Sequence, residues 1–236
     1  MSQRTNEFGK PIGPALPNWS PPPVPPHEPM VGRYCRLEPL TVAHADALHA
    51  GFDADPAGWT YLFNGPFADA GSFEAWVATL TASRDPLFFA VLNGGVPVGM
   101  VSYLRITPAA GSIEVGHIHY TAGAKRSRAV TEAMYLMMRR AFDLGYRRYE
   151  WKCDSLNAGS RAAAQRLGFS FEGVFRQATV YKMRSRDTAW YAMIDSEWPA
   201  LRAAFETWLD PNNFDENGRQ KRRLSELTAP ILVARG

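Results

Sequence analysis

Three cationic side chains fall within four residues of the chain, in the run Lys125-Arg126-Ser127-Arg128. The run stands directly before a helical pattern. Apolar residues there follow a 4-3-4-3 spacing, which predicts a buried helix face, at Val130, Met134, Met137, Ala141 and Leu144. The first N–H groups of a helix lack internal partners, and the helix dipole adds positive potential, so this position favours phosphate. The run therefore predicts a binding site for an anionic cofactor, with a solvated basic turn as the alternative.

Two strands and a short helix are predicted around this turn. One strand covers 112–120 and leads into it. After the long helix, which Gly145 ends, apolar Tyr149, Trp151 and Cys153 alternate with polar residues at a strand period. Asn157 is then placed to cap a short helix. Cofactors in such α/β arrangements lie beyond the carboxyl ends of strands, where helix N-termini converge, and the basic turn occupies that position.

The remaining patterns predict a mixed α/β fold. The other predicted elements are, in chain order, a strand over 34–40, a helix after Thr41, a helix over 72–83, a hairpin of 87–92 and 96–106, strands over 169–175 and 187–194, and a helix over 197–209. Hairpins at both ends and strands alternating with helices between them indicate a central mixed sheet with helices on both faces.

Composition divides the chain into three segments. Residues 1–30 hold nine of the 18 prolines, which disfavours helix and sheet, so residues 1–32 are predicted to form an extended arm. The folded domain is predicted over 33–210. Residues 211–236 are polar and are predicted to be a tail. Its basic cluster at 219–223 has no interleaved aromatic residues, which favours a solvated segment over a nucleic-acid site.

Charge and cysteine content narrow the classes of function. The net charge of +3 is too small to indicate nucleic acid binding by itself. No run approaches the roughly 20 apolar residues of a membrane span. The start, Met1-Ser2-Gln3-Arg4, lacks the apolar region of a secretion signal. Cys35 and Cys153 alone give neither a disulfide framework nor a metal site, so a cytoplasmic protein with reduced thiols and no metal is expected.

Three motifs together resemble the GCN5-related N-acetyltransferases (GNAT), with the RimJ/RimL-like ribosomal-protein N-acetyltransferases as the most similar branch. They are Ile113-Glu114-Val115-Gly116, the turn before Thr131-Glu132-Ala133, and Asn157-Ala158-Gly159-Ser160 leading to Leu167-Gly168-Phe169 and Glu172-Gly173. The resemblance covers roughly residues 33–195. It implies a mostly antiparallel mixed sheet, acetyl-CoA as donor, and an amine as acceptor. A non-catalytic CoA-binding sensor or scaffold is the alternative.

The resemblance also implies which residues contact CoA. A family loop with two glycines wraps the pyrophosphate, and here those glycine positions hold Arg128 and Val130. Without the close approach that glycine allows, guanidinium groups are expected to supply part of the contact. The implied contacts are His119, Tyr120 and Thr121 for the pantetheine arm, Asn157, and the turn residues Lys125, Arg126, Ser127, Arg128, Ala129, Val130 and Thr131.

Acyl transfer to an amine requires a neutral amine and a proton for the leaving thiolate. The tyrosine that many family members use as the acid is replaced by Ala164, and the resemblance to the RimL-like branch assigns this role to Ser160. That branch's glutamate base is replaced by Thr179, so Glu114 is the leading candidate base. His117 and His119 are the alternatives.

A weak base favours an acceptor whose amine is easily deprotonated. An α-amine has a pKa near 7.8 and a lysine near 10.4, a gap worth roughly 3.5 kcal/mol. The predicted acceptor is therefore a primary amine, either an α-amine of a protein, peptide or small molecule or another amine of low pKa. Predicted acceptor contacts are Trp59 and Tyr61, in an aromatic loop, with Arg176 and Tyr181 near the far sheet edge. The sequence leaves the acceptor's identity and the oligomeric state open, a homodimer included.

Overall fold

The computed structural model describes residues 4–236, so the first three residues of the predicted arm lie outside it. Eight strands form one sheet, in the spatial order β1-β2-β3-β4-β5-β6-β8-β7. The strands are β1 Met30–Val31, β2 Arg36–Pro39, β3 Leu87–Asn93, β4 Val96–Thr107, β5 Ser112–Tyr120, β6 Arg148–Asp154, β7 Ser170–Tyr181 and β8 Arg184–Ile194. Neighbouring strands are antiparallel except β5 and β6, which are parallel. The predicted mixed, mostly antiparallel sheet is confirmed.

Six α-helices cover the two faces of the sheet. They are α1 Ala45–Asp53, α2 Ala70–Thr81, α3 Arg128–Asp143, α4 Ala158–Arg166, α5 Trp198–Leu209 and α6 Leu224–Thr228. The face against α1 and α2 is called the front face, and its apolar cluster includes Phe52, Phe73 and Phe88. The back face packs α3, α4 and α5 around a larger core that includes Tyr149 and Trp151. None of the helices in residues 4–236 is long and apolar enough to cross a membrane.

Helix α3 begins where the sequence pattern predicts. Ser127 is its N-cap, and the Ser127 hydroxyl accepts a hydrogen bond from the Val130 N–H at 3.4 Å. After Leu144 the chain turns at Gly145, whose φ of +96° suits the residue that ends a helix. The apolar stripe of α3 is buried against the back face. This packing fixes the position of the helix start relative to the sheet.

A buried carboxylate joins α3 to the loop between β1 and β2. The side chain of Glu132 accepts hydrogen bonds from the backbone N–H groups of Arg33 at 2.9 Å, Tyr34 at 2.6 Å and Cys35 at 2.9 Å. A Cβ on Gly32 would overlap this carboxylate, so glycine is required for the close approach. The burial of Glu132 is therefore balanced by three charge-assisted hydrogen bonds.

The proline-rich arm lies along the domain. Arg140 of α3 donates hydrogen bonds to the carbonyls of Pro26, Glu28 and Pro29, at 3.2, 2.7 and 2.8 Å. The His27 ring nitrogen Nε2 lies 2.7 Å from the carbonyl oxygen of Phe88. The end of the arm forms β1, which pairs with β2, so the sheet begins at Met30.

The last 26 residues, polar in composition, are held against the domain by a few apolar and backbone contacts. Leu224 and Thr228 of α6 are buried, and the Thr228 hydroxyl donates to the carbonyl of Arg166 at 3.0 Å. Farther on, the Phe171 N–H donates to the carbonyl of Ala234 at 3.1 Å. The basic cluster at 219–223 is exposed, as expected of a solvated segment.

Candidate active site

Strands β5 and β6 separate part-way along their length. They pair from Ser112–Val115 against Arg148–Trp151, and no pairs follow. On the other side of β5, Met100 pairs with His119 but Ser102 pairs with Gly116, so β5 carries one extra residue there. This bulge lies at His117, whose φ is +50°. The gap between residues 116–120 of β5 and 152–154 of β6 is called the strand opening.

Two helix starts converge at this end of the sheet, because α3 follows β5 and α4 follows β6. At the start of α3, the backbone N–H groups of Arg128 and Ala129 have no hydrogen-bond partner among residues 4–236. Unpaired N–H groups at a helix N-terminus suit a phosphate group. The residues present therefore fit the pyrophosphate of a nucleotide cofactor, as the sequence predicts.

The three cationic side chains of the turn differ in how free they are to reach a ligand. Lys125 forms an ion pair with Asp55 at 2.6 Å. The guanidinium of Arg128 lies over the rings of Tyr34 and Phe214, with its Cζ 5.0 and 4.7 Å from their centroids. Arg126 has no ion-pair partner among the described residues. Of the three, Arg126 is thus best placed to contact a phosphate.

A cavity of about 820 Å³ adjoins the start of α3. It lies between residues 31–36 and the β3–β4 turn at 93–95, and its walls include Arg33, Arg36 and Arg128. Arg33 and Arg36 are distant in sequence from the basic turn, so no local pattern indicates that they lie beside it. Glu38 also lines the cavity and pairs with Arg36, so the positive charge of its wall comes from Arg33, Arg128 and the helix N-terminus.

Glu114 lies on the front face of β5, two residues before the strand opening. Its Oε2 accepts a hydrogen bond from Lys152 at 2.8 Å and lies 3.4 Å from Nε of Arg105. Its Oε1 has no partner among the described residues and lies 3.8 Å from where a Cβ on Gly116 would be. Burial raises the pKa of this carboxyl, while Lys152 and Arg105 oppose the rise. One oxygen is therefore fixed, and the other is free to accept a proton beside the opening.

The two histidines of β5 have less favourable environments for a base. The His119 ring packs against both Phe52 and Trp59, with centroids 4.0 and 4.3 Å away, and burial lowers its pKa to about 4. The Nδ1 of His117 lies 2.8 Å from the Ser102 hydroxyl, and burial lowers the pKa of His117 as well. Burial thus moves the pKa of Glu114 towards neutral pH and the pKa of both imidazoles away from it, and Glu114 also has an unpartnered oxygen near the opening, so Glu114 stays the leading candidate base.

Ser160 lies in the first turn of α4, on the back-face side of the opening. Its hydroxyl accepts a hydrogen bond from Nε1 of Trp151 at 3.0 Å. It also lies beside Cys153, where burial raises the pKa of the thiol and the Ser160 hydroxyl opposes that rise. The Ser160 N–H donates to Oδ1 of Asn157 at 3.0 Å, so Asn157 is the N-cap of α4. The hydroxyl thus stands next to β6 where β6 leaves β5.

The aromatic loop, residues 59–67, crosses from α1 towards the β7–β8 hairpin. The Tyr61 hydroxyl donates to the carbonyl of Leu156 at 3.3 Å, and Lys182 donates to the carbonyl of Trp59 at 2.7 Å. The ring of Phe63 lies 5.4 Å from that of Tyr181. These contacts place the loop over the front-face side of the strand opening.

Comparison with known proteins identifies the family. Residues 35–170 match the model of the acetyltransferase (GNAT) domain. The chain is 47% identical to a GCN5-related N-acetyltransferase from Brucella melitensis, covering 91% of this chain and all of that one, with a TM-score of 0.88. The chain belongs to the GNAT acetyltransferase family. No protein of curated function matches it.

Two further acetyltransferase structures share the fold. A GNAT-family protein from Chromobacterium violaceum is 40% identical over 81% of this chain and 98% of that one, with a TM-score of 0.77. The microcin C7 self-immunity acetyltransferase MccE, in complex with acetyl-CoA and AMP, is 20% identical over 72% of this chain and 98% of its own, with a TM-score of 0.64. The latter likeness shows the fold alone.

The four predicted acceptor contacts of this acetyltransferase differ in their burial and in their distance from the strand opening. Trp59 is only 4% exposed and packs in the front-face cluster, while Tyr181 is buried and donates to Asp154 at 2.7 Å. Tyr61 lies over the opening through its bond to Leu156. Arg176 is exposed, in the irregular stretch of β7 between Phe175 and Thr179. The structure therefore brings Tyr181 next to the loop that carries Tyr61, whereas Arg176 forms no hydrogen bond or ion pair among the described residues.

Two of the predicted cofactor contacts, Tyr120 and Thr131, have side chains that point away from the proposed cofactor site. The Tyr120 side chain points to the back face, where its hydroxyl donates to the sulfur of Met134 at 3.2 Å, so only its backbone borders the opening. The Thr131 hydroxyl donates to the carbonyl of Ser127, which leaves its own oxygen to accept from Arg166 at 3.3 Å. Thr131 thus supports the turn and does not project from it.

Sequence reasoning missed the side chains that surround Glu114. Lys152 lies between Glu114 and Glu150, at 2.8 and 2.9 Å, and its Nζ is 3.7 Å from the ring centroid of Trp190. A signal was present, because Glu150, Lys152 and Asp154 alternate with apolar residues on β6 and must share one face. The sequence does not show that β6 lies next to β5.

Proposed function

We propose that this acetyltransferase transfers the acetyl group of acetyl-CoA to an α-amine, or to another amine of similarly low pKa, on a peptide, protein or small molecule. The single observation that carries the proposal is the strand opening, with the free oxygen of Glu114 on one side and the hydroxyl of Ser160 on the other. The match of Ser160 to the RimL-like motif supports an α-amine.

Acetyl-CoA supplies an activated thioester. The chain would hold its pyrophosphate at the N–H groups of Arg128 and Ala129, with Arg126 adding positive charge. Its pantetheine arm would lie in the strand opening, where the edge of residues 116–120 facing β6 is unpaired. Both supports come from backbone groups, so the altered glycine positions do not remove them.

Glu114 would take the proton of the acceptor amine through Oε1, while Lys152 holds Oε2 in place. Ser160 would donate to the sulfur as the thiolate leaves, since its hydroxyl accepts from Trp151 and its one hydrogen can rotate from the neighbouring Cys153 thiol to the CoA sulfur. The two free buried thiols, Cys35 and Cys153, fit the reducing cytoplasm that we propose as the location.

Release of free thiol from acetyl-CoA tests this function. A lysine-free peptide with a free α-amine should react at least ~10-fold faster at neutral pH than an N-terminally blocked peptide with one lysine, because far more of the α-amine is neutral. A faster reaction of the lysine peptide would contradict the α-amine assignment. Binding of acetyl-CoA without thiol release from any acceptor would be the behaviour of a non-catalytic CoA-binding module.

Replacing Ser160 by alanine is expected to lower kcat by about 10- to 100-fold, because the departing thiolate loses its proton donor. The KM for acetyl-CoA should change little, because the phosphate contacts lie on α3. Steady-state kinetics of thiol release measure both constants.

The matched control is Trp151→Phe, which removes the same hydrogen bond but keeps the serine hydroxyl. If Trp151→Phe lowers kcat as much as Ser160→Ala does, the serine supports β6 and is not the acid.

A further inference from the structure

Arg186 is the one arginine of residues 4–236 that is buried, with 8% of its surface exposed. It forms no ion pair and donates no hydrogen bond within that part of the chain, and its Nε is buried without a partner. Its guanidinium instead lies over the rings of Phe63 and Tyr181, with its Cζ 5.3 and 5.6 Å from their centroids. A buried cation without an anionic partner is costly, so it calls for an anion from outside the chain.

The acids nearby are already engaged. Asp154 accepts from the Tyr181 hydroxyl at 2.7 Å and from the Leu156 N–H at 2.8 Å. Asp187 accepts from the Gln177 N–H at 2.7 Å. Neither carboxylate is within 4.0 Å of a guanidinium nitrogen of Arg186. Neither carboxylate therefore pairs directly with the guanidinium, and its N–H groups remain available to a ligand.

Arg186 lies on the acceptor side of the sheet. It shares the front face with Thr188 and Trp190, because it is two and four residues away from them on β8. Trp190 pairs with Lys152, at the level where the strand opening begins. Along β8, Arg186 is four residues from Trp190, which corresponds to about 13 Å at 3.3 Å per residue. The aromatic loop reaches the same place, since Phe63 contacts both Arg186 and Tyr181.

We propose that Arg186 binds an anionic group of the acceptor, a carboxylate or a phosphate, that is separated from the reacting amine by two or three residues of an extended peptide. This inference rests on the proposed function, because it takes the front-face side of the opening as the acceptor's place. The guanidinium lies beside the adjoining rings of Phe63 and Tyr181, which restrict its orientation, and its planar fork can hold such a group with two parallel hydrogen bonds.

The test uses lysine-free peptides with a free α-amine and an amidated C-terminus. Each carries glutamine, glutamate or phosphoserine at position 2, 3 or 4. With the unmodified protein, glutamate should raise kcat/KM over glutamine by about 10-fold or more at position 3 or 4. A larger gain for phosphoserine than for glutamate would identify phosphate as the preferred anion. Equal rates for glutamate, phosphoserine and glutamine at all positions would overturn the proposal.

Two variants test whether Arg186 causes the preference for glutamate over glutamine. Arg186→Met should bring the glutamate-to-glutamine ratio close to one, whereas Arg176→Met should retain it. A preference that survives in Arg186→Met, or that is lost in Arg176→Met alone, would overturn the assignment. If Arg186→Met does not fold, Arg186→Lys serves, and it should weaken the preference because the planar fork is lost.

Calorimetry keeps this inference separate from the proposed function. Binding of the glutamate and glutamine peptides is measured in the presence of CoA, without turnover. Tighter binding of the glutamate peptide supports the role of Arg186 even if no peptide is acetylated, in which case the proposed α-amine transfer alone fails. If the glutamate and glutamine peptides bind equally and are acetylated normally, the inference about Arg186 is wrong and the proposed function stands.

Discussion

Replacing Glu114 by glutamine is expected to lower kcat/KM by about 10²- to 10³-fold, because the acceptor amine loses its proton acceptor at the strand opening. Glutamine has nearly the same shape, and its carbonyl oxygen can still accept the hydrogen bond from Lys152 that holds Oε2 in the native protein. Binding of acetyl-CoA, measured by calorimetry, should be unchanged, because the proposed phosphate contacts lie on α3. The steady-state rate of thiol release gives the effect on catalysis.

Glu150→Gln is the matched control. Glu150 is the register partner of Glu114 on β6 and also contacts Lys152, but both of its oxygens are occupied, by Arg148 at 2.7 Å and Lys152 at 2.9 Å. Its replacement should cost less than about 5-fold in kcat/KM, since it has no free oxygen to accept a proton. If the two variants lose equal activity, the whole charge network matters and Glu114 has no special role.

The pH dependence of kcat/KM separates Glu114 from the acceptor. Burial raises the pKa of Glu114, and a base must be deprotonated to act, so activity should rise with pH through that raised pKa. A second rise near pH 7.8 belongs to an α-amine acceptor. Glu114→Gln should keep only the second rise, and a variant that kept both would exclude Glu114 as the base.

Replacing Glu132 by alanine is expected to lower the free energy of unfolding by about 3 to 5 kcal/mol, because three backbone N–H groups would lose their charged partner. These groups belong to Arg33, Tyr34 and Cys35, and Glu132 itself is buried. Urea unfolding monitored by tryptophan fluorescence measures the change, provided that the transition is two-state.

Glu206→Ala is the control for the loss of unfolding free energy expected in Glu132→Ala. Glu206 also accepts two hydrogen bonds, from Tyr135 and Arg202, each at 2.9 Å, but its side chain is 52% exposed. Water can replace its partners, so a loss below about 1 kcal/mol is expected. A similar loss for the two variants would mean that the loop at 33–35 rearranges when Glu132 is removed.

The local patterns of the sequence predicted the central elements well. The 4-3-4-3 stripe located α3, the basic turn marked its start and Gly145 its end, because helical periodicity and helix-ending residues depend on near neighbours in sequence. The alternation at Tyr149, Trp151 and Cys153 located β6 for the same reason. The irregular β7 is longer than predicted, since its exposed second half has no strict alternation.

Relations between distant residues could not be predicted in this way. Lys152 pairs with Glu114 only because β5 and β6 are neighbours in the sheet. No local sequence pattern shows which strands are neighbours. Arg128 was expected to face phosphate, but its ring partners come from positions 34 and 214, far away in sequence. The isolation of Arg186 is also a property of the folded chain, because it depends on which acids have found other donors.

The short pairing between β5 and β6 makes the sheet two half-sheets, one of β1–β5 and one of β6–β8, joined by a seam of four residue pairs. Beyond that seam, a molecule that hydrogen-bonds to the facing edges of β5 and β6 would replace the backbone hydrogen bonds that the two strands do not make to each other. Binding would therefore couple the two half-sheets mechanically and stabilise the whole chain by mass action. Resistance to unfolding in the cell would then follow the supply of the acetyl donor.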